Sequence, residues 1–349
     1  MSKAKKRAVV VCPGRGTYNR GELGYFHKHH SDKLAMLAQF DRQRQQQGLA
    51  TLQSLDSAKT FKSREHLQAE NAAPLIYSCA YGDYLSINQE EYEVVAVTGN
   101  SMGWYIALAC AGALNAEKGF QLVSGMSSLT QGADLGGQLI YPLVDEHWLP
   151  STQNRQAIAD LVAASQASEQ DTLYWSIEFG GYAVLAGSHA AIRNAMQALP
   201  SIDDIYPLEL PGHSAFHTPL MNKSSQKAFE TFATDFFQAP QVPLIDGHGK
   251  IWHPAGAQAD AIREYTLNTQ VTETYNFSQA IRVALKEFAP DVLLLTGPGS
   301  TMGGAVAQVM IEQGWRGLAS KADFIARQAN EPVLFAMGME SQRTHAIKE

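Results

Sequence analysis

The sequence has 349 residues, of which 45% are hydrophobic and 17% charged, enough apolar material for one large domain with or without an insert. Its net charge of −7 and isoelectric point near 5.9 argue against nucleic acid as the main partner. No apolar run is long enough to cross a bilayer, and the three cysteines (Cys12, Cys79 and Cys110) do not suggest a disulfide framework. We therefore expect a cytoplasmic protein with reduced core thiols and no membrane contact.

A short apolar strand is predicted near the start of the chain. The run Ala8–Cys12 is ended by the glycine-rich residues 13–17, a pattern typical of a buried parallel strand that leads into a loop. Residues 19–70 are mostly polar, and we expect them to form helices and loops on the surface. Apolar residues at helical spacing then predict a helix over Asn71–Ile87.

Three closely spaced histidines, His27, His29 and His30, lie in this polar region and raise the question of a metal site. Acidic or cysteine ligands at fitting spacing are missing around them. The cluster is therefore interpreted as a solvated face, and no metal ion is expected.

A strand, a sharp turn and a helix are predicted in direct succession in the next stretch. Glu93–Thr98 has the composition of a buried strand, and residues 99–103 read Gly-Asn-Ser-Met-Gly. The apolar run Trp104–Ala111 follows and predicts a buried helix.

The pattern changes after residue 136, where short strands alternate with helices. This order predicts a small domain with a ferredoxin-like split β-α-β arrangement. The predicted strands are Leu139–Leu143, Leu173–Glu178, Tyr182–Ala186 and Ile205–Leu210, and the predicted helices are Gln153–Ser165 and Ala190–Leu199.

An α/β pattern returns after this insert, with an amphipathic helix at Gln279–Phe288, a strand at Asp291–Thr296 and a helix at Ala305–Glu312. Beyond residue 315 we expect only a helix and loop that cap the fold. The predicted organisation is a catalytic subdomain of residues 1–136 and 208–349 that is interrupted by a small subdomain of residues 137–207.

The turn at residues 99–103 fits the pattern G-x-S-x-G, with Ser101 at its centre. A strand that turns straight into a helix strains the backbone of the central residue, and side chains on the flanking residues would clash. The turn exposes the serine hydroxyl and directs backbone N–H groups, including that of Met102, toward an oxyanion formed on the substrate. On the turn alone, a lipase, an esterase and a transferase all stay open.

A serine nucleophile needs a base, and His217 differs from most of the other histidines in its surroundings. It lies in Ala-Phe-His-Thr-Pro-Leu-Met, residues 215–221, which closely resembles the P-F-H-S-P-L-M signature of malonyl-CoA:acyl carrier protein transacylases and polyketide-synthase acyltransferase domains. The stretches Cys-Pro-Gly-Arg-Gly at residues 12–16 and Thr-Gly-Pro-Gly at residues 296–299 are similar to further motifs of that family, in the same order.

The resemblance implies an α/β fold with an α/β-hydrolase-like large subdomain, built on a parallel sheet, and an inserted ferredoxin-like small subdomain. It implies that Ser101 and His217 form a catalytic dyad, whose imidazole is oriented by a carbonyl group at Gln270. It also places the backbone N–H groups of Met102 and Arg15 in the oxyanion hole. His213 is then left as a pocket-wall or surface residue.

Several residues of the expected acyl pocket depart from the family pattern. Malonyl-type members carry an arginine on the helix after the elbow, where it pairs with the free carboxylate of the acyl group, but this sequence has Met126 there. Asn100 replaces the usual histidine before the serine, and Glu178 begins a stretch that differs from the family's N-x-P-G-Q. Phe216, beside the base, is expected to line the same pocket. Because Met126 cannot pair with a carboxylate, the sequence favours an uncharged acyl group.

The expected activity is acyl transfer from acyl-CoA to the phosphopantetheine thiol of an acyl carrier protein, by a ping-pong reaction without metal or redox cofactor. The departures favour specialised polyketide synthesis over general fatty-acid synthesis. Two alternatives stay open: a thioesterase that removes wrong acyl groups from carrier proteins, and an inactive docking module. The sequence leaves the oligomeric state open, a monomer included.

Overall fold

Two sheets organise the chain in the computed structural model, which describes residues 4–130, 135–167 and 171–348. The strands are β1 (Lys6–Cys12), β2 (Tyr92–Gly99), β3 (Gly137–Pro142), β4 (Leu173–Phe179), β5 (Tyr182–Gly187), β6 (Leu208–Glu209), β7 (Leu244–Ile245), β8 (Ile251–Trp252), β9 (Tyr275–Asn276), β10 (Val292–Leu295) and β11 (Leu334–Ala336).

Helices cover the sheets, and in the described part of the chain none is both long and apolar enough to span a membrane. The helices are α1 (Tyr25–His29), α2 (Leu34–Gln46), α3 (Leu52–Asp56), α4 (Ser63–His66), α5 (Ala69–Ser86), α6 (Gly103–Cys110), α7 (Ala116–Leu129), α8 (Thr152–Ser165), α9 (His189–Ala198), α10 (Asn222–Thr231), α11 (Ala259–Glu264), α12 (Gln270–Thr272), α13 (Phe277–Phe288), α14 (Met302–Glu312), α15 (Lys321–Asn330) and α16 (Glu340–Arg343).

The large sheet has the strand order β11-β10-β1-β2-β7-β8 and is parallel except at the β7–β8 edge. The central run Ala8–Cys12 is fully buried, as expected for a strand covered on both faces by helices. Cys12 pairs with Gly99, so the loops that follow β1 and β2 leave the sheet side by side. This edge carries the candidate site.

The small sheet has the order β6-β3-β5-β4-β9, and its first four strands with α8 and α9 form the predicted ferredoxin-like unit. It has a hydrophobic core of its own, which includes Leu139, Ile158 and Leu185. β9 joins this sheet from the later part of the chain and runs parallel to β4. The predicted fold class is confirmed, while the subdomain boundaries at 136 and 207 stay predictions.

Two predicted features of the C-terminal half need correction. The strand expected over Ile205–Leu210 is reduced to Leu208–Glu209, because residues 202–206 form a turn closed by a hydrogen bond from the Ile202 N–H to the Tyr206 carbonyl (3.0 Å). Beyond residue 315 the chain adds not only helices but also β11, which extends the large sheet beside Leu293–Leu295.

The interpretation of the histidine cluster as a solvated face is wrong for His30. This side chain is fully buried, and its Nε2 lies 3.0 Å from an oxygen of buried Asp83. His27 Nδ1 lies 2.6 Å from an oxygen of buried Asp56. Both histidines therefore face carboxylates contributed by later helices, which spacing within the cluster could not reveal.

The three cysteines are buried and free, as the composition predicts. Cys12 and Cys110 lie close together, with 3.9 Å between their sulfur atoms. Both belong to the core beneath the candidate site.

Candidate active site

The turn between β2 and α6 holds Ser101 with a positive φ of 54°, a strained conformation for a residue with a side chain. A Cβ on Gly99 would lie 2.2 Å from the backbone oxygen of Gly103, and a Cβ on Gly103 would lie 2.3 Å from that of Cys12. Both positions therefore exclude any side chain. The G-x-S-x-G pattern follows from these two contacts, which press the helix start against β1 and β2.

His217 lies beside the serine, with its Nε2 2.7 Å from the Ser101 hydroxyl oxygen. Its Nδ1 donates a hydrogen bond to the backbone carbonyl of Gln270 at 2.5 Å. The backbone N–H of His217 donates to the backbone carbonyl of Val271 at 2.9 Å. With the proton on Nδ1, Nε2 is left to accept the proton of the serine hydroxyl. The sequence-predicted pair is thus brought together in the geometry that a nucleophile and its base require.

The His217 imidazole is almost completely buried, with 1% of the residue exposed. Burial lowers its pKa from 6.5 to about 4, although the hydrogen bond to the Gln270 carbonyl acts in the opposite direction. The ring is consequently neutral at physiological pH. A neutral imidazole is the protonation state that a general base needs.

Gln270 is buried and holds the site together through two different groups. Its backbone carbonyl orients His217, while its side-chain amide donates from Nε2 to the backbone carbonyl of Ser101 at 3.1 Å. The Tyr105 hydroxyl donates to the amide oxygen of Gln270 at 2.7 Å and so sets the direction of the amide. Tyr105 lies one helical turn after Ser101, at a position to which the sequence patterns assign no role.

Gln270 follows a π-helical turn at Tyr265–Thr269. Such turns widen a helix by one residue and are frequent at functional sites. Here the turn leads directly into the carbonyl that accepts the hydrogen bond from His217.

The loop after β1 packs directly against the elbow. The Asn100 N–H donates to the Cys12 carbonyl at 3.0 Å, and a Cβ on Gly14 would lie 2.9 Å from the Asn100 oxygen. The backbones of Arg15 and Met102 are thereby brought to the same side as the serine. Within the described residues, neither of their N–H groups is taken up by a hydrogen bond.

A cavity of about 430 Å³ opens in front of Ser101, and its wall is mainly apolar. Of the predicted pocket residues, Asn100, Met126 and Phe216 line this cavity. Other lining side chains come from the small sheet, the loop after it and α7, including Val123, Ile140, Ile177, Phe179, Val184, Leu208 and Leu210. The cavity therefore lies between the large and the small subdomain.

Glu178 does not line this cavity, and its assignment to the acyl pocket is corrected. Alternate residues of a strand face opposite sides, and the neighbours Ile177 and Phe179 supply the wall instead. A bulge in β4 between Trp175 and Ile177 determines which residues face inward.

His213 lines the cavity, and its Nδ1 lies 2.9 Å from the side-chain oxygen of Gln138. Burial, together with the nearby positive charge of Arg15, lowers the pKa of His213 to about 3. It lies on the loop before His217 and has no contact with Ser101 among the hydrogen bonds of the described residues.

No family model matches this chain. Over 317 residues the chain is 23% identical to the polyketide biosynthesis protein PksE of Bacillus subtilis, a match that covers 87% of this chain. The match covers 36% of PksE, so the chain spans about a third of the length of that relative.

Solved structures with the same fold cover nearly the whole chain. An acyl-carrier-protein S-malonyltransferase from Burkholderia pseudomallei superimposes with a TM-score of 0.72 at 19% identity, over 97% of this chain and 98% of the other. A malonyl-transacylase solved in complex with a type II polyketide-synthase acyl carrier protein superimposes with a TM-score of 0.69 at 19% identity, over 98% and 99%. The resemblance that the sequence motifs predict is confirmed.

Proposed function

We propose that this chain transfers acyl groups from acyl-CoA to the phosphopantetheine thiol of an acyl carrier protein, through an acyl ester of Ser101. The observation that supports this proposal most directly is the 2.7 Å contact between the Ser101 hydroxyl and His217 Nε2. The opposite nitrogen of the same ring is engaged by a backbone carbonyl, so the ring is held in the tautomer that accepts a proton.

In the first half of the reaction, His217 Nε2 takes the hydroxyl proton while the Ser101 oxygen bonds to the thioester carbonyl carbon. The carbonyl oxygen becomes an oxyanion, to which the backbone N–H groups of Met102 and Arg15 donate hydrogen bonds. The bond between carbon and sulfur then breaks, and the departing CoA thiolate takes the proton from His217. The product of this half-reaction is an acyl-serine.

In the second half, the thiol of the carrier protein's phosphopantetheine gives its proton to His217, and its sulfur attacks the acyl-serine. The same N–H groups stabilise the second oxyanion. Ser101 leaves with the proton from His217, and the acyl group departs on the carrier. This scheme uses no metal ion or redox cofactor.

We further propose that the transferred acyl group is uncharged, such as acetyl or a longer chain. Met126 lines the cavity and is 2% exposed, in a wall that also includes Val123 and Phe216. A carboxylate placed against these apolar side chains would lose its hydration without gaining a cation from them, which costs about 3 kcal/mol or more.

The comparisons guide the proposed pathway and partner. PksE is named for polyketide biosynthesis, and one structure of the same fold contains an acyl carrier protein. We accordingly place this chain in acyl transfer to carrier proteins of a polyketide pathway.

Intact-protein mass spectrometry after incubation with a mixture of acetyl-, butyryl-, hexanoyl- and malonyl-CoA tests the proposal. We expect one uncharged acyl group on the wild-type chain and none on Ser101→Ala or, at short times, on His217→Ala. Adding holo acyl carrier protein should then discharge the enzyme and increase the mass of the carrier by the same acyl group.

Each part of the proposal has its own contrary result. Preferential malonyl loading of Ser101 would refute the uncharged substrate. Release of free acid with no acylated carrier would instead establish the thioesterase alternative. An unmodified Ser101 with every acyl-CoA would leave only the docking module.

A further inference from the structure

Arg15 is the one charged side chain among the described residues that line the cavity in front of Ser101. Its Nη1 donates to the backbone carbonyl of Gly212 at 2.9 Å. Its Nε is buried and has no hydrogen-bond partner, and no carboxylate of the described residues lies within 4.0 Å of the guanidinium. Burial lowers the pKa of Arg15 to about 10, which still leaves it fully charged at neutral pH.

An arginine in this position is costly unless something accepts its remaining hydrogen bonds, because a buried donor without an acceptor loses the hydration it had in the unfolded chain. The neighbouring polar side chain, His213, gives no compensation by charge, since its low pKa keeps it neutral. His213 Nδ1 is already engaged by Gln138. The described protein wall therefore supplies no acceptor for Arg15 Nε, and a ligand in the cavity can supply one.

The position of Arg15 in the chain indicates which part of a thioester substrate it meets. In the proposed mechanism the backbone N–H of Arg15 donates to the thioester carbonyl oxygen, so the Arg15 side chain starts close to the reacting carbonyl group. From there the guanidinium reaches the loop at Gly212, which is exposed at the mouth of the cavity. The part of the substrate attached to the thioester sulfur has to leave the cavity in the same direction, from the reacting carbonyl toward Gly212.

We propose that the Arg15 guanidinium binds the amide oxygens of the pantetheine arm next to the thioester sulfur. This inference depends on the proposed function, in which the acyl group itself is uncharged and supplies no acceptor beyond its carbonyl. Pantetheine carries two amide carbonyls near its thiol end, whereas its phosphate lies at the far end of the arm, away from Ser101. The arm is shared by acyl-CoA and by the carrier protein, so one arginine serves both half-reactions.

Thioesters that differ only in the arm test this assignment. Acylation rates of Ser101 should be compared for hexanoyl-CoA, for the N-acetylcysteamine thioester with one amide, and for the ethanethiol thioester with none. Arg15→Met keeps an unbranched, flexible side chain and the backbone N–H but removes the donors. We expect it to lower kcat/KM by about 10- to 100-fold for hexanoyl-CoA, less for the N-acetylcysteamine thioester, and not at all for the ethanethiol thioester.

Arg20→Met is the matched control, because Arg20 is an exposed arginine on the same segment. It should leave the kcat/KM values for all three thioesters unchanged. Arg15→Lys, which keeps the charge but loses the planar fork, should fall between wild type and Arg15→Met with hexanoyl-CoA.

Two results would overturn the assignment. An equal loss for all three thioesters would mean that the side chain acts only on the oxyanion loop. A loss confined to malonyl-CoA, tested alongside hexanoyl-CoA, would mean that Arg15 binds an acyl carboxylate.

A calorimetric titration of Ser101→Ala with CoA separates this inference from the proposed function. Weaker CoA binding on adding Arg15→Met supports the inference even if no acyl-enzyme forms, and unchanged binding contradicts it.

Discussion

His217 becomes protonated only at a low pH, because burial lowers the pKa of its imidazole far below the usual range of histidine. The pKa of this imidazole falls from 6.5 to about 4, with burial as the dominant cause. At pH 5.5 an ordinary imidazole would be only about 10% neutral, whereas one with a pKa of about 4 stays about 97% neutral. We therefore expect acylation of Ser101 at pH 5.5 to run at nearly its neutral rate, about tenfold faster than an exposed histidine base would allow.

The assay is rapid-quench acylation at limiting acyl-CoA, with acyl-enzyme quantified by intact mass between pH 4.5 and 8. Under these conditions kcat/KM reports the protonation of the free enzyme. An acid limb with its midpoint near pH 6.5, in protein that circular dichroism shows to be folded, would refute the reasoning. Ser101→Ala gives the background at each pH.

The stability of the fold limits the same experiment, because the lowered pKa of His217 also makes the free energy of unfolding depend on pH. Between pH 6.5 and about 4 the unfolded chain takes up a proton at His217 that the folded chain does not, so the free energy of unfolding decreases as the pH falls through this window. The loss for this residue amounts to about 3 kcal/mol when pH 4 is reached. His217→Asn should flatten this part of the denaturation profile.

Three further substitutions test other contacts of the site. Tyr105→Phe leaves the amide oxygen of Gln270 without its donor, so acylation should slow about tenfold at unchanged KM. Chemical denaturation should show that the free energy of unfolding falls by about 1–2 kcal/mol. An unchanged acylation rate would contradict the positioning role of Tyr105. Met126→Arg should raise malonyl loading of Ser101 relative to acetyl by about tenfold in mixed-substrate mass spectrometry, and an unaltered ratio would count against Met126 as a determinant of acyl charge. Gly103→Ala should lower the free energy of unfolding by about 2–3 kcal/mol or prevent folding, because the new Cβ would lie 2.3 Å from a backbone oxygen of β1. A midpoint of thermal unfolding equal to that of the wild type would exclude this clash.

The elbow that holds Ser101 could be predicted from the sequence because its constraints are local. Gly99 and Gly103 stand within five residues, and the clashes that exclude side chains there involve the turn itself and the strand beside it. The position of His217 beside Ser101 could not be predicted in this way. Among 11 histidines, His217 was distinguished by the similarity of its surroundings to a known signature, and the 2.7 Å contact spans a long segment that includes four of the five strands of the small sheet.

Contacts between distant segments account for what the sequence did not predict. The direction of Glu178 depends on a bulge in β4, which reverses the simple alternation of a strand. The burial of His30 depends on Asp83, whose carboxylate also pairs with Arg343 at 2.5 Å near the end of the chain. Charge or polarity of a residue indicates that it needs a partner, but the partner's place in the chain comes only from tertiary packing.

The segment that holds His217 also joins the two sheets, and this explains how Ser101 and His217 can meet although they lie far apart in the chain. Gln270 and Val271 bind His217, and four residues later Tyr275 pairs with Ile177 of the small sheet. The Tyr275 hydroxyl donates at 2.5 Å to the carbonyl of Gly99, the residue that ends β2 before the elbow. One short segment is therefore bonded to His217, to the small sheet and to the strand that leads into Ser101. The distance between Ser101 and His217 is consequently determined by the junction of the two sheets, and not by either motif alone.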